Sequence, residues 1–136
     1  MTNRNQMVQA VRTLWNARLR NDLDGMMKLL ADDAVYAMNG RGTGVPALIK
    51  PTEGKPGVRE LFRELLDTWH FDNWREVSLL IDGDSAFLHW AARATCVPTK
   101  KSGDFDVFDV FTFRNGQIAK MHESTDTAMM MSLAGG

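Results

Sequence analysis

Apolar and polar residues alternate most clearly from Phe105 to Phe113, where Phe105, Val107, Asp109, Phe111 and Phe113 share one face of a strand. Four of these five are apolar and Asp109 is the exception. Asn115-Gly116 supplies the two positive-φ residues of a tight type I′ turn, and Gln117 to Thr125 then returns as a second strand. On that return Ile118 and Lys120 alternate with Ala119, Met121, Glu123 and Thr125, so the hairpin sets a second carboxylate, Glu123, on the Asp109 face unless His122 is the inward member. The opposite register, with Phe108 and Val110 inward, would leave Asp109 at the surface beside a cation; its four apolar companions favour the inward reading. Counted back from the turn, Asp109 falls opposite Lys120 to His122, which makes Asp109 and Glu123 diagonal neighbours unless a bulge shifts the register.

Upstream the period changes to 3.6. Val8, Val11, Leu14, Trp15 and Leu19 form the stripe of a first helix over 5–20, with Arg12, Arg18 and Arg20 outside it. Asn21 as a cap, with Leu23, Met26, Met27 and Leu30 at helical spacing, predicts a second helix over 22–31. Ala34 to Met38 reads as a short strand with Tyr36 and Met38 on one face. Asn39 to Lys55 reads as a long Gly- and Pro-containing loop, with an extended piece around 47–49, of the kind that covers a site. Val58, Leu61, Phe62, Leu65, Leu66 and Trp69 predict a strongly amphipathic helix over 57–69. Strands over 72–81 and 85–97 follow, joined by the Asp82-Gly83-Asp84 turn, and residues 97–103 lead into the hairpin. The order α-α-β-α-β-β-β-β predicts an α+β domain in which one curved antiparallel sheet folds over a helix layer.

Composition narrows the function classes. The 136 residues suit one domain, 1–136, and 16 Lys+Arg against 17 Asp+Glu leave no basic block for nucleic acid. No apolar run reaches the roughly 20 residues of a membrane span. The start MTNRNQ lacks a leader's apolar core, so a cytoplasmic protein is expected. Cys96 has no second cysteine to pair with, and His70, His89 and His122 are scattered, so neither metal nor cofactor is expected.

The element order, the phrase DLDGMMKLLADDAVY at 22–36 and the DVFDVFTF-turn-GQIAKMHESTD ending resemble the nuclear-transport-factor-2-like superfamily, in its SnoaL-like and ketosteroid-isomerase-like branch. The resemblance implies a cone-shaped sheet around an apolar pocket, and dimers formed through the sheet's outer face. Asp109 matches the carboxylic acid with which ketosteroid isomerases hydrogen-bond an enolate oxygen, a system that itself illustrates the principle of a carboxyl held neutral by an apolar site. Met38 and Leu14 stand where those isomerases have an aspartate and a tyrosine, which speaks against steroid isomerisation. Against limonene epoxide hydrolases, Tyr36 matches the water-positioning tyrosine and Glu123 the base, while Trp90 and Ala92 replace an arginine and an aspartate.

Asp109, Glu123 and Tyr36 are therefore the catalytic candidates, with Glu123 as base, Asp109 as donor to a developing oxyanion and Tyr36 positioning ligand or water. Trp15, Met38, Phe62, Trp90, Phe111, Met121 and Thr125 are assigned to the pocket wall, which a small apolar molecule would occupy. The expected function is cofactor-independent acid-base chemistry on a small, mostly apolar carbonyl or epoxide compound. A non-catalytic ligand-binding or dimerisation domain of the same fold is the alternative.

Overall fold

The computed structural model describes residues 3–135, apart from the side chain of Ala47. Met1, Thr2 and Gly136, which the single-domain reading includes, lie outside the described residues. The chain forms helices α1 (Arg4–Leu19) and α2 (Leu23–Met27), strand β1 (Leu30–Met38), a short helix α3 (Pro46–Ile49) and a two-residue strand β2 (Thr52–Glu53). Helix α4 (Lys55–Thr68), the long strands β3 (Trp69–Asp82), β4 (Ser85–Cys96), β5 (Lys101–Arg114) and β6 (Gln117–Ser124), and a terminal helix α5 (Thr127–Gly135) follow. The strands make one curved sheet in the order β2-β1-β6-β5-β4-β3, and α1 and α4 pack against it. No helix among the described residues is long and apolar enough to cross a membrane.

The α+β arrangement and the four consecutive antiparallel strands match the sequence expectation. At the other end the sheet is mixed, because β1 pairs parallel with β6. That pairing lets β1 begin at Leu30, so the expected second helix stops at Met27 and its last apolar residue becomes a strand residue. The cap of α2 is Asp22, whose carboxylate accepts from the Gly25 N–H at 3.0 Å, while Asn21 takes a left-handed φ of 58°. The 39–55 stretch is a 3₁₀ turn at Arg41–Thr43, helix α3 and strand β2 rather than an open loop, and residues 47–49 are helical, not extended. Helix α5 follows the hairpin and was not anticipated; its Met129, Met130 and Leu133 pack on the core.

Helix α1 differs from expectation by one position. Its buried residues are Met7, Val11, Leu14, Trp15, Ala17 and Arg18, and Leu19 is exposed. The spacing 7-11-14-15-18 is itself a complete helical stripe, so the face toward the sheet ends on a cation. Leu19 drew the sequence reading to the neighbouring face because it is apolar, whereas helix geometry selects position 18.

A bulge in the hairpin decides the site. Phe113 pairs with Ile118, but Thr112 pairs with Lys120, which leaves Ala119 as the extra residue of β6. Everything beyond it moves by one, and Asp109 comes to lie directly opposite Glu123 rather than diagonal to it. The bulge also turns Ile118 inward, where it is buried with Met121 and Glu123. Ile118, which simple alternation sets on the face away from Glu123, therefore belongs to the core.

Candidate functional site

Asp109 and Glu123 form a cross-strand pair on the concave face, 1% and 8% exposed. Strand β1 lies on the far side of β6 and brings Tyr36 beside them; its hydroxyl donates to Glu123 Oε1 at 2.5 Å. Strand β4 lies on the far side of β5 and supplies Trp90, whose indole N–H donates to Asp109 Oδ2 at 2.9 Å. Four adjacent strands thus place Tyr36, Glu123, Asp109 and Trp90 in one buried line. Asp109 Oδ1 has no hydrogen-bond partner in this geometry. The Trp15 indole N–H is also buried and acts weakly on the same carboxyl without making a hydrogen bond.

Burial drives the Asp109 carboxyl well above its ordinary range, and the neighbouring Glu123 charge pushes in the same direction. The indole N–H groups of Trp90 and Trp15 oppose this only in part. A proton retained on Asp109 supplies a donor between two oxygens that would otherwise repel. Tyr36 is likewise held above its ordinary pKa, first by burial and then by Glu123, so it remains a phenol that donates.

These shifts have a testable sign. A carboxyl whose pKa rises on folding adds stability below its unfolded value of roughly 3.9 and withdraws it as pH climbs through the raised folded value. Asp109→Asn keeps an N–H donor for Glu123 and an oxygen for Trp90 but cannot titrate. Urea unfolding of the two proteins from mildly acidic to alkaline pH is expected to show the wild type losing ground. Each pH unit between the unfolded value of roughly 3.9 and the raised folded value should weaken it by about 1.4 kcal/mol relative to the variant, and above the raised value the difference levels off. Parallel curves would mean that Asp109 has the same pKa folded and unfolded.

Beside this line lies a cavity of about 80 Å³ whose wall includes Trp15, Arg18, Met38, Trp69, Phe71, Trp90, Phe105, Glu123, Thr125 and Met130. A smaller one of about 30 Å³ is lined by Leu14, Trp15, Arg18, Met26, Phe62, Leu65, Met121 and Glu123. Of the residues assigned to the wall, Trp15, Met38, Trp90 and Thr125 line the first cavity, and Phe62 and Met121 the second. Phe111 lines neither and is fully buried in the core. Among the catalytic candidates only Glu123 reaches the wall; Asp109 and Tyr36 stand behind it.

Arg18 is the residue that sequence reasoning placed outside. It is 7% exposed and lines both cavities. Its Nη2 donates to the carbonyls of Trp69 at 2.8 Å and Leu65 at 3.3 Å, and its guanidinium sits 4.5 Å over the Phe71 ring. Burial lowers its pKa to about 10, a shift that Glu123 and then Tyr36 partly offset, so it is a cation at neutral pH. The spacing 7-11-14-15-18 was the available signal. The histidines are elsewhere: His89 bonds Asp106 at 2.7 Å and stacks on Phe108 on the outer face, and His122 pairs with Val110. Among the described residues no three His, Cys, Asp or Glu side chains gather as a metal site.

Residues 8–121 match the family model described as a SnoaL-like domain. None of the curated proteins matches the chain by sequence. An NTF2-like protein of unknown function from Burkholderia pseudomallei superposes over 100% of both chains with a TM-score of 0.82 at 24% identity. A candidate polyketide cyclase from Xanthomonas campestris aligns over 98% of this chain and 100% of its own, at TM-score 0.78 and 15% identity. An LEH-like epoxide hydrolase from M. tuberculosis aligns over 95% and 90%, at TM-score 0.73 and 22% identity. At these identities the structures share the fold, and their activities do not transfer with it.

Proposed function

The chain belongs to the SnoaL-like domain family, and from that premise we propose that it is a cofactor-independent acid-base enzyme acting on a small, mostly apolar carbonyl or epoxide compound. One observation carries the reading: a single carboxylate, Glu123, reaches the wall of a mostly apolar cavity that it shares with Arg18, while the Tyr36 phenol bonds it and the Asp109 carboxyl stands opposite it from behind. Proton transfer needs a group with its acceptor oxygen aimed at the substrate and fixed in position. Tyr36 fixes one oxygen of Glu123, and the proton on Asp109 is available to the pair. Asp109 then acts through Glu123 and not on an oxyanion directly, since it does not line the cavity. The similarity to a candidate polyketide cyclase and to an epoxide hydrolase supports these two substrate classes.

Incubating the protein in deuterium oxide with panels of small ketones and of epoxides tests the reading. Deuterium at the carbon beside the carbonyl, or diol from an epoxide, is expected above the no-protein control. A second reading, a ligand-binding domain, is favoured by the fact that one acid alone reaches the wall. Recovery of a bound compound unchanged, with neither exchange nor diol, would establish it in place of catalysis.

The family fold also supports a homodimer through the outer face of the sheet. Leu80 and Phe108 are 64% and 51% exposed there; Leu80 pairs with Phe87 and Phe87 with Val110, two residues along β5 from Phe108. An apolar patch of this kind on a sheet gains by being covered. Light scattering at high micromolar concentration should give twice the mass of one chain, and Phe108→Asp should shift it toward the monomer; a wild-type monomer would refute the pairing.

A further inference from the structure

Resting on the reading of this cavity as the ligand site, we propose that Arg18 selects its ligand: a planar, mostly apolar molecule that carries an ionised oxygen acid. Buried charges are ordinarily paired, because an uncompensated one is strongly penalised. Arg18 is more than nine-tenths buried, and among the described residues no carboxylate is within salt-bridge distance of it. Its protein partners are two backbone carbonyls, both met by the same nitrogen, Nη2. A guanidinium has five N–H donors in a planar fork suited to two oxygens at once. The remaining donors belong to a residue that lines both cavities.

The surroundings define the rest of the ligand. Phe71 lies under the guanidinium, and Trp90 and Trp15 extend the aromatic surface at centroid distances of 5.1 Å from Phe71 to Trp90 and 4.5 Å from Trp90 to Trp15. These rings meet at 61° and 54°, and aromatic faces and edges of this kind favour an aromatic, apolar body. Glu123 shares the cavity and its charge opposes a second anion nearby, so the ligand's oxyanion belongs at the Arg18 end and a proton-bearing group at the Glu123 end. Arg18 comes from α1 and Glu123 from β6, and among the salt bridges of the described residues none joins them to use up the fork.

Binding of matched acid and amide probes, read by quenching of the cavity tryptophans, tests this without any turnover. The pairs are benzoate with benzamide and 2-naphthoate with 2-naphthamide. A charged hydrogen-bonding partner predicts that each acid binds roughly 10- to 100-fold more tightly than its amide. Arg18→Gln should bring the ratio close to one by weakening the acid alone. Arg18→Lys keeps the charge and loses the fork, so it should weaken the acid several-fold and leave the amide unchanged; this variant decides the matter if the glutamine protein does not fold. Equal binding of acid and amide by the wild type, or equal losses for both probes in the variants, overturns the proposal. An acid preference in a protein that shows no proton exchange would retain this inference and refute only the catalytic reading.

Discussion

Glu123→Gln is expected to lower turnover of whichever carbonyl or epoxide compound the wild type converts by about 10²- to 10⁴-fold, the usual contribution of a positioned acid or base. The amide retains the size of the side chain and an oxygen to accept from the Tyr36 hydroxyl, so the hydrogen bond seen at 2.5 Å has a replacement. What the variant lacks is the capacity to take up and return a proton. Ligand affinity should therefore change little while kcat falls. Tyr36→Phe should do less, on the order of tenfold, because it removes only one of the groups that hold Glu123. Steady-state kinetics of the two variants, with binding of an unreactive ligand as the control, separates these outcomes. If Glu123→Gln kept wild-type turnover, proton transfer would have to be assigned to another group. If both binding and kcat collapsed together, the loss would be structural.

The strand pattern around Asp109 was readable because burial on one face imposes a period of two, and the apolar companions of Asp109 recorded that period directly. Position 123 was readable for its face but not for its partner. The Ala119 bulge adds a residue without any glycine or proline to mark it, and the register of the hairpin follows from counting only when the ladder is regular. The mixed end of the sheet was hidden for a different reason. Leu30 continues the helical spacing of Leu23, Met26 and Met27, and only pairing with β6, nearly ninety residues downstream, recruits it into β1 instead. Arg18 illustrates a third limit. A charged residue at the end of an apolar stripe reads as solvent-facing by composition, although the geometry of α1 buries it against Trp69 and Phe71. The chemically informative residue was thus legible by position and concealed by type.

Trp90→Ala is expected to be the most destabilising single change at the site. The side chain is fully buried and packs on Trp15, Phe71 and Trp74, so its removal opens a large cavity, at a loss of about 3–5 kcal/mol. It also deprives Asp109 Oδ2 of its donor while Oδ1 already lacks a partner. Leaving a buried polar atom unsatisfied adds about 1–3 kcal/mol. Trp90→Phe isolates that second effect, because the phenyl ring fills much of the space but has no N–H. The Trp90 hydrogen bond favours ionised Asp109, so its loss raises the carboxyl's pKa further. The phenylalanine variant should accordingly be closest to wild type at acidic pH, where Asp109 is protonated in both, and fall behind as pH rises. Urea midpoints measured across pH check both statements. A loss below about 1 kcal/mol for Trp90→Ala would contradict its place in the core. A pH-independent difference between Trp90→Phe and wild type would show that the indole N–H does not govern the charge on Asp109.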